Sequence, residues 1–141
     1  MRWCHLGLGR ENQGGGGDMD ESQFAERIAV IRSRFASRLA DEILETEAAI
    51  EQLAGDGSDA VAAVAATYRR FHDVCGIGAT LGFEATGRSA RILDAILVVA
   101  FRDRRGLSRD EIAHLQKGLK SLRVASRTDL QSKGSDRGLI S

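Results

Sequence analysis

Apolar residues recur every three or four positions along most of this chain, and no proline interrupts them. A spacing near 3.6 puts such residues on one face of an α-helix, and a chain without proline keeps every backbone donor that a helix needs. In the first stretch the stripe is Phe24, Ile28, Ile31, Phe35, Leu39, Ile43, Ile50 and Leu53. Arg27, Arg32, Arg34, Arg38, Glu42, Glu45 and Glu51 occupy much of the remaining surface. The pattern predicts a long amphipathic helix from Asp20, continuous or split into a short and a long piece. Gly55-Asp56-Gly57 ends it, and Ser58 is the expected N-cap of the next helix.

The second helix is expected from Asp59 towards Leu81, with Val61, Val64, Tyr68, Phe71, Val74, Cys75, Gly78 and Leu81 inward. Gly82 and Phe83 form a short link, since glycine tolerates the left-handed geometry of such a connection. The third, from Glu84 to Arg104, is the most apolar, with Ile92, Leu93, Ile96, Leu97, Val99, Ala100 and Phe101. It is apolar on more than one side, as a central or covered helix would be. Ser108 and Glu111 make a capping box, and Ile112, Leu115, Leu119 and Leu122 mark a fourth helix to about Ser126. No stretch alternates with period two, so the expected fold is all-α, an antiparallel up-down four-helix bundle over residues 20–126.

Outside it lie residues 1–19, a glycine-rich leader expected to be disordered, and a polar C-terminal tail, 127–141. Gly14 to Gly17 lose much backbone entropy on ordering and bury nothing. Met19 is an alternative start, and Trp3, Cys4 and His5 lack the further ligands a metal site needs. Twenty basic and twenty acidic residues cancel, so no global field directs the chain to nucleic acid or an anionic membrane. The run from Ile92 to Phe101 is about half of what a membrane span requires. Cys4 and Cys75 do not form a disulfide framework, which fits a reducing cytoplasm. No signal peptide is read at the N-terminus, and the expected location is cytoplasmic.

Helical periodicity assigns no function. The informative stretch is Phe71-His72-Asp73-Val74-Cys75-Gly76-Ile77-Gly78-Ala79-Thr80-Leu81-Gly82-Phe83. Gly76 and Gly78 fall within a predicted helix, where each costs about 1 kcal/mol relative to alanine. Close helix–helix approach, a kink, or a surface kept flat for another protein would each explain them. His72 lies on the flank of the apolar stripe, among Ala65, Tyr68, Arg69, Cys75, Gly76 and Ala79, most of them small. The imidazole is expected to stand partly exposed on a low platform, with Arg69 one turn away. That is a suitable setting for a nucleophile that meets a bulky partner.

His72-x-x-x-Gly76-x-x-x-x-x-Gly82-Phe83, followed by Ala90 and Leu93-Asp94, resembles the signature of histidine-containing phosphotransfer (HPt) domains. The resemblance covers residues 20 to 125 in helix order and is specific only over 71–94. It implies an HPt-like bundle and a phosphocarrier in two-component signalling without kinase activity of its own. His72 would accept and donate a phosphoryl group, at Nε2, from and to aspartates of response-regulator receiver domains. Arg69, Cys75, Gly76, Ala79 and Gly82 would support or dock. The implied partners are those receiver domains and a hybrid sensor histidine kinase, the protein being a monomer. No cofactor is implied, the Mg²⁺ coming from the receiver. The sequence departs from the family at Cys75, where lysine is usual; Arg69, Arg70 or Arg88 are the candidate substitutes.

Two other functions fit the same residues. One is an adaptor or inhibitor that docks a receiver or kinase without being phosphorylated. The other is a helical oligomerisation module with Val98 and Phe101 as the seam. His114 has no glycine platform and reads as surface, Asp73 points about 100° away from His72, and Cys75 reads as a half-buried filler. The cluster Arg102, Asp103, Arg104 and Arg105 suits a helix C-terminus.

Overall fold

The computed structural model describes residues 21–140, with side chains described for residues 21–132. The leader, including Trp3, Cys4 and His5, lies outside them. Four helices make up nearly all of the described chain: α1 (Glu21–Ala48), α2 (Ser58–Thr80), α3 (Glu84–Arg102) and α4 (Arg109–Ile140). There is no strand among the described residues; a lone bridge between Ala54 and Leu107 ties two loops together. α3 lies between α2 and α4, and α1 closes against α4. No described helix is long and apolar enough to cross a membrane.

The expected stripes build one core. Phe35, Leu39 and Ile43 of α1, Val64, Phe71 and Val74 of α2, Leu93 and Leu97 of α3, and Leu115, Leu119 and Leu122 of α4 are fully buried. Phe83, in the α2–α3 link, is buried with them and meets Phe35 edge-on, the ring centroids 5.0 Å apart. Gly82 has φ +80°, the left-handed conformation expected of the link. The capping box is also present: the Glu111 amide donates to Ser108 Oγ at 3.1 Å, and the Ser108 amide to Glu111 Oε1 at 2.8 Å.

Several local expectations are corrected. α1 is unbroken to Ala48, and its extension is a separate 3-10 turn, Ile50–Leu53. Gly57, not Ser58, is the N-cap of α2; Ser58 is already helical. Phe24 at the start of α1 is 58% exposed, and on α3 Ile92 and Val99 are 58% and 49% exposed. These last two sit seven residues apart, two helical turns, on the one side of α3 that neither α2 nor α4 covers.

Arg32 was expected on the outer face but is buried. Its Nη1 donates to the Leu81 carbonyl, its Nη2 to the Asp129 carbonyl at 3.1 Å, and its guanidinium lies 4.4 Å from the Phe83 ring centroid. Asp129 in turn accepts from the Thr86 amide at 2.7 Å, the Thr86 hydroxyl at 2.8 Å and the Ala85 amide at 3.3 Å. Phe83, the N-cap of α3, offers no side-chain oxygen, so a carboxylate from another helix satisfies the free amides. That clasp ties α4 down at Asp129, beyond Ser126. The segment expected as a tail prolongs the helix to Ile140.

Candidate functional site

The site lies on the seam between α2 and α3. Residues pair across it in a regular progression: Tyr68 with Phe101, His72 with Asp94, Cys75 with Gly87, and Gly78 with Phe83. Later positions on α2 meet earlier positions on α3. The two helical glycines have different duties along this seam. A Cβ on Gly78 would lie 3.5 Å from the Phe83 carbonyl oxygen and 3.8 Å from the Gly87 amide, ordinary contact distances in a buried position that faces the α2–α3 link. A Cβ on Gly76 would meet nothing within 4 Å. Its glycine leaves open space one turn beyond His72.

His72 projects from α2 with its side chain 60% exposed. Nδ1 lies 3.0 Å from Oδ1 of Asp94, whose side chain is 26% exposed. A carboxylate only accepts, so this bond places a proton on Nδ1 and leaves Nε2 free for a second partner. Tyr68, one turn earlier on α2, supports the ring with its centroid 5.4 Å away. Tyr68 stacks in turn on Phe101 at 4.6 Å, and the Arg69 guanidinium carbon lies 5.6 Å from the Phe101 centroid. The imidazole is therefore held at one nitrogen and along one face, and open at the other nitrogen.

Gly76 and Ala79 are exposed, and Gly82 forms the turn at the end of α2. Cys75 is a free, half-buried thiol packed against the core. Burial pushes that thiol above its ordinary value, the Asp94 carboxylate adds to the shift, and the Arg91 guanidinium opposes it. Arg70 faces α1, where its Nη1 donates to Thr46 Oγ1 at 3.2 Å, and so does not serve the imidazole. Arg88 is exposed on α3. Phe101, named for the alternative seam, is half-buried, stacked on Tyr68 with the Arg69 guanidinium near its ring. His114 is exposed, and its Nδ1 donates to the Asp110 carbonyl at 2.8 Å within its own helix.

Sequence reasoning took Tyr68 as core and Leu93-Asp94 only as part of a motif. The four-residue spacing of Tyr68 from His72 was visible in the sequence, whereas the reach of Asp94 depends on the register between two helices. Among the described residues no cluster of three or more His, Cys, Asp or Glu could hold a metal ion. No family model, no curated protein and no solved structure matches the chain.

Proposed function

We propose that this chain is a phosphocarrier of the HPt type, an up-down antiparallel bundle in which His72 relays phosphoryl groups between receiver-domain aspartates. The observation that carries the reading is an exposed imidazole with Nδ1 bound to Asp94 and Nε2 directed away from that bond, beside the space left open at Gly76.

The chemistry follows from that tautomer. The Nε2 lone pair attacks the phosphorus of an aspartyl phosphate, a P–N bond forms, and the P–O bond to the aspartate breaks. The aspartate leaves as a carboxylate. The ring, still protonated at Nδ1, gains positive charge, which Asp94 stabilises across the 3.0 Å contact. Reversal passes the group to a second receiver. Phosphoryl transfer depends on in-line positioning and charge stabilisation, so the bundle presents the ring and the receiver supplies the acidic pocket and its Mg²⁺. The chain remains a carrier rather than a kinase.

The test is incubation with a phosphorylated receiver domain and Mg²⁺, beside His72→Gln. Acid-labile label on the wild type alone is the expected result. Receiver binding without label would replace the carrier with an adaptor.

A further inference from the structure

A phosphoryl group on Nε2 of His72 stands across the ring from the Asp94 carboxylate, which lies 3.0 Å from Nδ1. The group's negative charge needs a cation on the Nε2 side, because the carboxylate at Nδ1 offers it none. The neighbouring α2 position is Cys75, which carries no positive charge. Of the arginines around the seam, Arg69 lies over Phe101 and Arg70 is bonded to Thr46 on α1. Arg91 is different. Like Arg88 it is exposed on α3 and enters no hydrogen bond or ion pair among the described residues, but it stands three residues before Asp94 and hence on the same side of that helix, whereas Arg88, six residues before, does not.

Resting on the phosphocarrier reading, we propose that Arg91 supplies from α3 the cation that neutralises the phosphoryl group on His72. The seam register places it suitably. His72 meets Asp94 and Cys75 meets Gly87, so Arg91 falls opposite the turn of α2 that runs from His72 to Gly76. Its field already reaches the Cys75 sulfur, where it acts against burial and Asp94. Four methylene-type torsions let the guanidinium swing from that position towards an oxygen on Nε2, and its planar fork suits two phosphoryl oxygens at once. Asp94 and Arg91 then divide the work: one faces the proton on Nδ1, the other the charge beyond Nε2.

Phosphoramidate tests this without a cognate receiver. Attack by Nε2 forms the P–N bond to His72, and the P–N bond of the reagent breaks as ammonia leaves. The full chain is compared with Arg91→Gln, Arg91→Lys, Arg88→Gln and His72→Gln, following ³¹P signal growth and the pH midpoint of the bound phosphoryl group. Arg91→Gln is expected to slow labelling roughly three- to tenfold and to raise that midpoint by about half a unit, since a lost cation favours the protonated phosphoryl. Arg91→Lys restores most of both effects, and Arg88→Gln changes neither. Equal rates and midpoints in wild type and Arg91→Gln would overturn the role of Arg91 while the carrier stands. Absence of label on the wild type would remove the carrier and, with it, this role.

Discussion

Replacing Gly76 with glutamine should move stability and transfer in opposite directions. Gly76 lies inside α2, exposed, and a Cβ there touches nothing within 4 Å. The substitution therefore adds helix propensity without a clash, a gain of about 0.5 kcal/mol from the glycine-to-glutamine difference. For a domain near this size that raises Tm by roughly 2 °C. The same side chain fills the shoulder one turn beyond His72, where residues four apart are neighbours on a helix surface. A partner held back by even about 1 Å from in-line geometry loses on the order of a hundredfold in rate. Thermal unfolding followed by circular dichroism reads the first effect, and the rate of label transfer from a phosphorylated receiver reads the second. Gly76→Ala, with one methyl, should gain about 1 kcal/mol yet slow transfer far less. Wild-type transfer by the glutamine variant would refute the claim that the glycine keeps the approach to the imidazole clear.

Asp94→Asn keeps the size of the partner but removes its charge, so transfer should fall roughly tenfold or more while the helical signal stays constant; a rate within twofold of wild type would show that Asp94 does not act on the ring. Glu111 accepts from Arg105 at 2.8 and 3.0 Å as well as from the Ser108 amide, and Arg105 above all holds its carboxyl down at about 2. Because the folded value lies below the ordinary one of 4.5, this contribution is complete above about pH 4.5 and fades as pH falls towards 2. Glu111→Gln should accordingly cost about 1 kcal/mol at pH 7, a figure reduced for partial exposure, and the gap in urea melts should close at acid pH. Gly106→Ala would force a Cβ into the Gly55 carbonyl oxygen and to 2.8 Å from that of Leu53, backbone atoms that cannot swing aside. A loss of about 3 kcal/mol or more is expected, seen as a fall in Tm of roughly 10 °C, and a small change would mean that the Gly55–Gly106 contact yields easily.

What the sequence made legible was local in origin. Period 3.6 locates all four helices, Ser108 with Glu111 locates the start of α4, and Gly82 locates a turn, because each depends on residues within one or two helical turns. His72 was placed on the exposed flank by the same wheel. Arg32 and Asp129 were misjudged for a shared reason. A charged residue reads as surface unless its partners are known, and those partners, the Leu81 carbonyl and the Ala85 and Thr86 amides, lie 43 to 49 residues away. Asp94 as the partner of His72, 22 residues off, was missed likewise.

The distance between α2 and α3 connects these readings. Aspartate is a short side chain, and it reaches Nδ1 of His72 only because the helices carrying the two residues run close together. That closeness comes from the far end of the seam. There the Phe83 amide donates to the Gly78 carbonyl at 2.8 Å, and an added Cβ at Gly78 would stand 3.5 Å from the Phe83 carbonyl oxygen and one at Gly87 3.9 Å from that of Cys75, so the backbones leave room for a methyl and little more. Arg32 and Asp129 secure that same end, one on the last carbonyl of the α2 turn and the other on the first amides of α3. A residue larger than alanine at Gly78 would thus be felt two turns away, as a lengthened His72–Asp94 contact, before it was felt as unfolding. On this account the core end of the bundle sets the tautomer of the exposed imidazole, while a side chain at Gly76 would enter open space and leave that end undisturbed.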